Sequence, residues 1–217
     1  PKALPTAIAE RAKAAHARGE PFAFGMITGA STAPECDGVL AAANCVSFRN
    51  PFQSDPGIRN SINAGNIAYQ DMHLSHIEQQ IRQGFYGAFD VAIIEATAIT
   101  ADGKIVPSMG IGHDNEVLKA ASKVIIEVNE AQNAKLEGMH DVYTPEDPPH
   151  RKAIPLCKVD ERIGTPYIPC GPDKIKYIVA CDIKDDVRGF APIDDDSKKM
   201  SELAIEFFHQ EIKAGRL

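Results

Sequence analysis

Four groups of residues in this sequence are of a type and spacing that could do chemistry. The first is the turn in MITGASTAPECDG, residues 26–38. It reads as the end of a buried strand, a run of Gly, Ala, Ser and Thr, and then Pro34 with acidic residues opening a helix. Small residues at Gly29 and Ala30 let a ligand approach the backbone, and free N–H groups at a helix start favour an anion or a polarised carbonyl. Ser31 is the one side chain of the turn suited to bind or react at a strand's carboxyl end, where open α/β sheets hold ligands. The same residues also fit a tight turn with a helix cap.

The second group is His73 and His76, three apart and able to share a helix face. A metal pair needs a third ligand, and no nearby HxxxE or CxxC supplies one, so a capping or hydrogen-bonding role is expected and no metal site. The third is Glu95 and Glu127, in or at the ends of apolar strands, where an unpaired carboxylate is costly. They read either as partnered structural groups or as a two-carboxylate acid/base site. The fourth is the loop Pro107-Ser108-Met109-Gly110-Ile111-Gly112-His113, a second small-residue turn after a strand. No GxGxxG follows the first strand and no GxxxxGK[ST] occurs, which counts against nucleotide cofactors. With no GxSxG elbow, Ser31 reads as a positioning donor and not as a nucleophile.

The elements that must position these residues alternate along the chain. Helices are expected over 5–17, over 56–64 with Asp55 as its cap and Pro56 at its first position, over 75–83, over 116–121 and over 194–214. Strands are expected over 22–28, 46–48, 90–99, 104–106, 124–128 and 176–183. The run 90–99 is apolar on both alternations, as in a central strand covered by helices on two faces. Residues 133–172 carry six prolines that break regular structure, a stretch suited to wrapping a surface or an active site. The predicted class is α/β, a mostly parallel open sheet flanked by helices in one domain.

With 217 residues, 44% of them hydrophobic, the chain can bury a full core. A net charge of −7 with scattered Lys and Arg argues against a nucleic-acid surface. No apolar run reaches membrane-spanning length. Five cysteines without a CxxC pair fit reduced, mostly buried thiols in a cytosol-like compartment. The opening Pro1 suggests processing or excision from a longer chain.

Several long motifs are similar to those of the acetyl-CoA hydrolase/transferase family of class I CoA-transferases. They are ITGASTAPECDG (Ile27 to Gly38), RNSINAGNIAYQDMHLSH (Arg59 to His76), FDVAIIEATAI (Phe89 to Ile99) and KVIIEVNEAQN (Lys123 to Asn133). EGMHDVY (Glu137 to Tyr143) followed by PPHRKAIPL (Pro148 to Leu156) resembles the branch holding succinyl-CoA:acetate CoA-transferases and acetyl-CoA hydrolases. The resemblance implies the CoA-transferase (NagB/RpiA-like) fold and a glutamate that forms a mixed anhydride and then a glutamyl-CoA thioester. It places that glutamate in a second, carboxyl-terminal domain. Residues 1–217 then form a single amino-terminal domain trimmed at both ends and inactive alone.

The resemblance makes Ser31 a hydrogen-bond donor to reacting carboxylates, and we extend that contact to Gly29 and Ala30. Ser108 and Gly110 are candidate substrate contacts, although relatives read like PSSSVGN where this chain has Met109, Gly110 and His113. Met109 fits either an altered acyl preference or a neutral packing change. Expected partners are CoA thioesters, small carboxylates, the second domain and a second copy in a homodimer. Coenzyme A enters as substrate, no cofactor or metal is expected, and neither nucleic acid nor membrane is a partner. The compartment is the cytoplasm, or the mitochondrion in a eukaryote. Acetyl-CoA hydrolysis and a non-catalytic carboxylate-binding module are the alternatives.

Overall fold

The computed structural model describes residues 1–30, 32–154, 158–185 and 189–217. Its backbone falls into two units, Pro1–Lys184 and Asp185–Leu217.

The first unit begins with α1 (Ala3–Ala17), an Ala-rich helix that buries Pro5, Ala9, Ala12 and Ala15 along one stripe. Gly19, at φ 74°, takes the left-handed conformation that ends it. Strand β1 (Phe24–Ile27) follows, then a single π-type turn over Pro34–Gly38, the short α2 (Val39–Ala42) and β2 (Val46–Asn50). The helix predicted to open at Pro34 is thus one wide turn running into one α-turn. In α3 (Pro56–Asn63) the Asp55 carboxylate accepts from the Ile58 amide at 3.1 Å, the cap expected from sequence. Strand β3 (Ala68–Tyr69) was not foreseen, because two residues carry no periodicity.

Next come α4 (Leu74–Arg82), β4 (Phe89–Ile99), β5 (Ile105–Pro107), α5 (Asp114–Ala120), β6 (Ala121–Asn129) and, after the proline-rich stretch, β7 (Ile175–Cys181). The single sheet predicted is divided in two. A parallel three-stranded sheet has the order β1-β2-β3, and a four-stranded sheet has the order β5-β4-β6-β7. Of the strand pairs among the described residues, β4–β5 alone is antiparallel, and the others are parallel. One core packs Ala9 and Ala12 of α1 with Cys36, Leu40, Val46 and Ile58 around the first sheet. The other packs Ile94, Ile105, Leu118, Val124, Ile126 and Ile168 on the second.

β4 departs from expectation in one respect. Ala92, Ile94 and Ala96 are buried on one face, whereas Val91 on the other is 43% exposed. The strand is central in its sheet, but within this unit helical cover is complete on one face only.

In the second unit, α6 (Asp195–Lys213) is capped by Asp194, whose carboxylate accepts from the Ser197 amide at 2.8 Å. Among the described residues no helix is long and apolar enough to cross a membrane. Cys36 and Cys45 are buried free thiols, and Cys170 and Cys181 are free and half-buried. Cys157 lies outside the described residues.

Candidate functional site

The turn after β1 sits at the carboxyl end of a parallel strand, and a buried ion pair holds it there. Arg49, on the neighbouring strand β2, and Asp37, in the π-type turn, have fully buried side chains. The guanidinium meets the carboxylate twice, Nε to Oδ1 at 3.3 Å and Nη2 to Oδ2 at 3.2 Å. The same Nη2 donates to the Ala30 carbonyl at 3.1 Å, and Nη1 donates to the Asn50 carbonyl. Thr28 Oγ1 also donates to the Ala30 carbonyl. Beyond position 31, the Thr32 amide donates to Asp37 Oδ2 at 2.8 Å, and Thr32 Oγ1 accepts from the Asp37 amide at 3.2 Å. Charge buried this deeply is tolerated only when paired and fully hydrogen-bonded. Its geometric result is that the turn is pinned at Ala30 and at Thr32. Ser31 itself lies outside the described residues.

The two small-residue loops meet. A side chain added at Gly29 would begin 3.3 Å from Gly112 Cα and 3.6 Å from His113 Cδ2, so a larger residue would need the second loop to give way by a few tenths of an ångström. The contact is with the Gly112–His113 end of the second loop. At its other end, His140 Nε2 lies 2.8 Å from the Ser108 carbonyl oxygen, Met109 is exposed, and Gly110 faces open space. His140 belongs to the motif EGMHDVY, whose Asp141 accepts from the Ile163 and Gly164 amides at 3.0 and 2.7 Å. Part of the proline-rich stretch therefore braces the Ser108 loop.

Behind His113 lies a charged network that joins α4 to α5. His113 Nδ1 is 3.5 Å from Glu78 Oε1, and this contact, together with nearby positive charge, holds the Glu78 carboxyl below its ordinary range. Arg82 pairs with Asp147 at 2.9 Å and Glu116 at 3.7 Å, and Lys119 reaches Glu116 at 3.1 Å. Burial pushes the carboxyl of Asp114, next to His113, up to about 7.

Glu95 and Glu127 are side by side across the β4–β6 register, and both are structural acceptors. Glu127 accepts from the amides of Lys2, Ala3 and Leu4 at 2.5, 3.1 and 2.8 Å, so it caps α1 from a distant strand. Glu95 accepts from Lys2 Nζ at 2.8 Å, from Asn129 Nδ2 at 2.9 Å and from Gln132 Nε2 at 3.2 Å. These contacts leave the pair engaged as anchors, which removes the acid/base reading.

Burial alone would raise the Glu95 carboxyl, but the hydrogen bonds from Lys2 and Asn129, with the Pro1 amino group 3.1 Å away, take it down to about 2. A carboxyl depressed on folding stabilises the fold above its unfolded pKa and loses that contribution as pH falls toward the folded value. Glu95 should therefore stabilise the fold above roughly pH 4.5, a contribution lost progressively toward pH 2. Acid unfolding followed by circular dichroism should show this slope in the wild type, and Glu95→Gln should flatten it.

The His73 ring does not make the capping bond expected of it. His73 occupies the N-cap position of α4 without a side-chain capping bond, and its ring packs edge-on against His76 with centroids 5.6 Å apart. Among the described residues no group of three or more His, Cys, Asp or Glu is arranged to hold a metal ion.

The acetyl-CoA hydrolase/transferase N-terminal domain profile matches residues 1–181. The chain belongs to this family. It is 41% identical over 217 residues to the succinyl-CoA:acetate CoA-transferase of Clostridium kluyveri, a match covering 100% of this chain and 40% of the relative. It is 37% identical over 224 residues to the acetyl-CoA hydrolase of Yarrowia lipolytica, covering 100% of this chain and 43% of that one. The chain thus spans about two fifths of the length of these relatives, at their amino-terminal part. The crystal structure of RipA from Yersinia pestis aligns with a TM-score of 0.54 at 16% identity, covering 88% of this chain and 39% of that one. At that identity the likeness speaks to the fold alone.

Within this acetyl-CoA hydrolase/transferase domain, three supports of the candidate site carried no signal of their own in the sequence: Asp37, Arg49 and Glu78.

Proposed function

We propose that this chain supplies the amino-terminal wall of the active site of an acyl-CoA:carboxylate CoA-transferase. Its substrates would be acetyl-, succinyl- or propionyl-CoA and acetate or succinate. In this reading a glutamate from the remaining length of the full-size protein attacks the acyl-CoA carbonyl, expelling CoA thiolate and forming a mixed anhydride. The thiolate then attacks the glutamyl carbonyl, releasing the first carboxylate and leaving a glutamyl-CoA thioester. The incoming carboxylate repeats these steps in reverse order and leaves as the new acyl-CoA. Ser31 donates a hydrogen bond to the reacting carboxylates, with the backbone at Gly29 and Ala30 beside it, and the Ser108–Gly110 segment lines the substrate path. Coenzyme A is a substrate, and no separate cofactor takes part. The enzyme works on acetate and acetyl-CoA as a homodimer in the cytoplasm, or in the mitochondrion of a eukaryote.

The observation that supports this most is the pinned turn itself. A small-residue loop at the carboxyl end of a parallel strand is held by a buried Arg–Asp pair on both sides of position 31. Ser31→Ala in the full-length protein should lower kcat for acetate-dependent CoA transfer on the order of a hundredfold, the usual cost of one lost donor to developing charge. Its thermal unfolding should match the wild type. An unchanged kcat would overturn the role of the loop, and a wild-type protein that exchanges no CoA would leave only a carboxylate-binding module.

Similarity to proteins named as acetyl-CoA hydrolases favours a second reading, in which water resolves the thioester. Initial rates of CoA release with and without added acetate separate the two.

A further inference from the structure

His113 closes the loop that packs on Gly29 and occupies the position just before α5. Its side chain is 9% exposed. Nδ1 faces Glu78 Oε1 at 3.5 Å, while Nε2 is buried with no hydrogen-bond partner. Cδ2, the ring atom bonded to Nε2, lies 3.6 Å from where a side chain on Gly29 would start. The unpartnered edge of the ring is therefore the edge turned to the pinned turn. A buried polar atom left without a partner costs about 1–3 kcal/mol, so it calls for an explanation, and a bound ligand is one.

Charged groups from two helices surround the ring. From α4 come Glu78, on Nδ1, and Arg82, which is matched by Asp147 and Glu116. From α5 come Asp114, Glu116 and Lys119, of which the last two pair with each other.

We propose that His113 contacts the ligand of this site, its Nε2 donating to an oxygen of the small carboxylate held at the Gly29–Ala30 turn. This rests on the function proposed above and adds a residue to it. An N–H on each ring nitrogen would serve one acidic group on each side, Glu78 at Nδ1 and the ligand at Nε2. Charge-assisted bonds of this kind are about twice as strong as neutral ones and discriminate against uncharged analogues.

Two substitutions separate a contact at Nε2 from a structural role at Nδ1. Glutamine carries its amide nitrogen near the place of Nε2, and asparagine carries its own near Nδ1. In the full-length protein, His113→Asn should raise KM for acetate about tenfold, and His113→Gln, which keeps a neutral donor near the place of Nε2, should raise it clearly less. Equal effects of the two variants, or no rise in either, overturn the proposal. Where a variant fails to fold, the wild type decides. With 15N-labelled histidine, saturating acetate, against a chloride control, should shift the His113 Nε2 resonance, and no shift overturns the proposal. Ser31→Ala in the same series keeps the two readings apart. If it slows transfer while His113→Asn leaves KM unchanged, the loop site stands and the role of His113 falls. If neither matters, both fall.

Discussion

Replacing Arg49 with methionine should destabilise the domain by about 3–5 kcal/mol, the range for breaking a buried ion pair by removing one partner. Methionine fills much of the volume, so the loss is electrostatic. Asp37 would keep its charge in a fully buried position with its two guanidinium contacts gone. The Ala30 and Asn50 carbonyls would lose a donor in the same step. Urea denaturation checks the magnitude. A second substitution separates stability from function. Arg49→Met combined with Asp37→Leu removes both charges, and such exchanges are often neutral or stabilising. The double variant should recover most of the lost stability. It should not recover activity in the full-length protein, because Thr32 would still lack the Asp37 carboxylate and Ala30 the guanidinium. A double variant that regains both would show that the pair serves only the fold.

What was legible in the sequence was local. Asp55 followed by Pro56 names a helix start because the cap and the first helical residue are adjacent in the chain, and the structure places both as expected. Asp194 is legible for the same reason. The turn at Gly29 and the loop at Gly112 were each visible as runs of small residues, but their meeting was not, since it depends on how two sheets are placed. Arg49 and Asp37 are twelve residues apart and share no pattern. Nothing short of the strand pairing of β1 with β2 brings them to the same turn. Glu95 and Glu127 were recognisable as costly carboxylates in apolar strands. The choice between reaction and anchoring depended on the parallel register that sets them side by side and on Lys2 reaching Glu95. The division of the sheet and the two-residue strand β3 depend on pairing too, which a single sequence does not encode in its periodicity.

Glu127→Ala should cost about 3 kcal/mol or more, although Glu127 lies far from the turn. The carboxylate, fully buried, gives its oxygens to three consecutive amides at the start of α1, more than 120 residues away in the chain. Those amides have no partner within the helix. Losing a local cap costs about 0.5–2 kcal/mol, and leaving buried donors unmet adds about 1–3 kcal/mol. A negative charge at a helix start also opposes the helix dipole favourably, and alanine removes it. Glu127→Gln keeps one accepting oxygen but turns an NH2 group toward amide donors, so its loss should fall between wild type and alanine. Hydrogen exchange at the Ala3 and Leu4 amides should accelerate in both variants, most in alanine. The effect should also reach the candidate site, because α1 packs on the π-type turn that carries Asp37 through a core containing Ala9, Ala12, Cys36 and Leu40. A helix freed at its start loosens that turn, and with it the carboxylate that holds Thr32 and Arg49. Activity of the full-length Glu127→Ala protein should therefore fall below the wild type at temperatures where it is still folded. Unchanged activity there would mean that the Asp37–Arg49 pair holds the turn without support from α1.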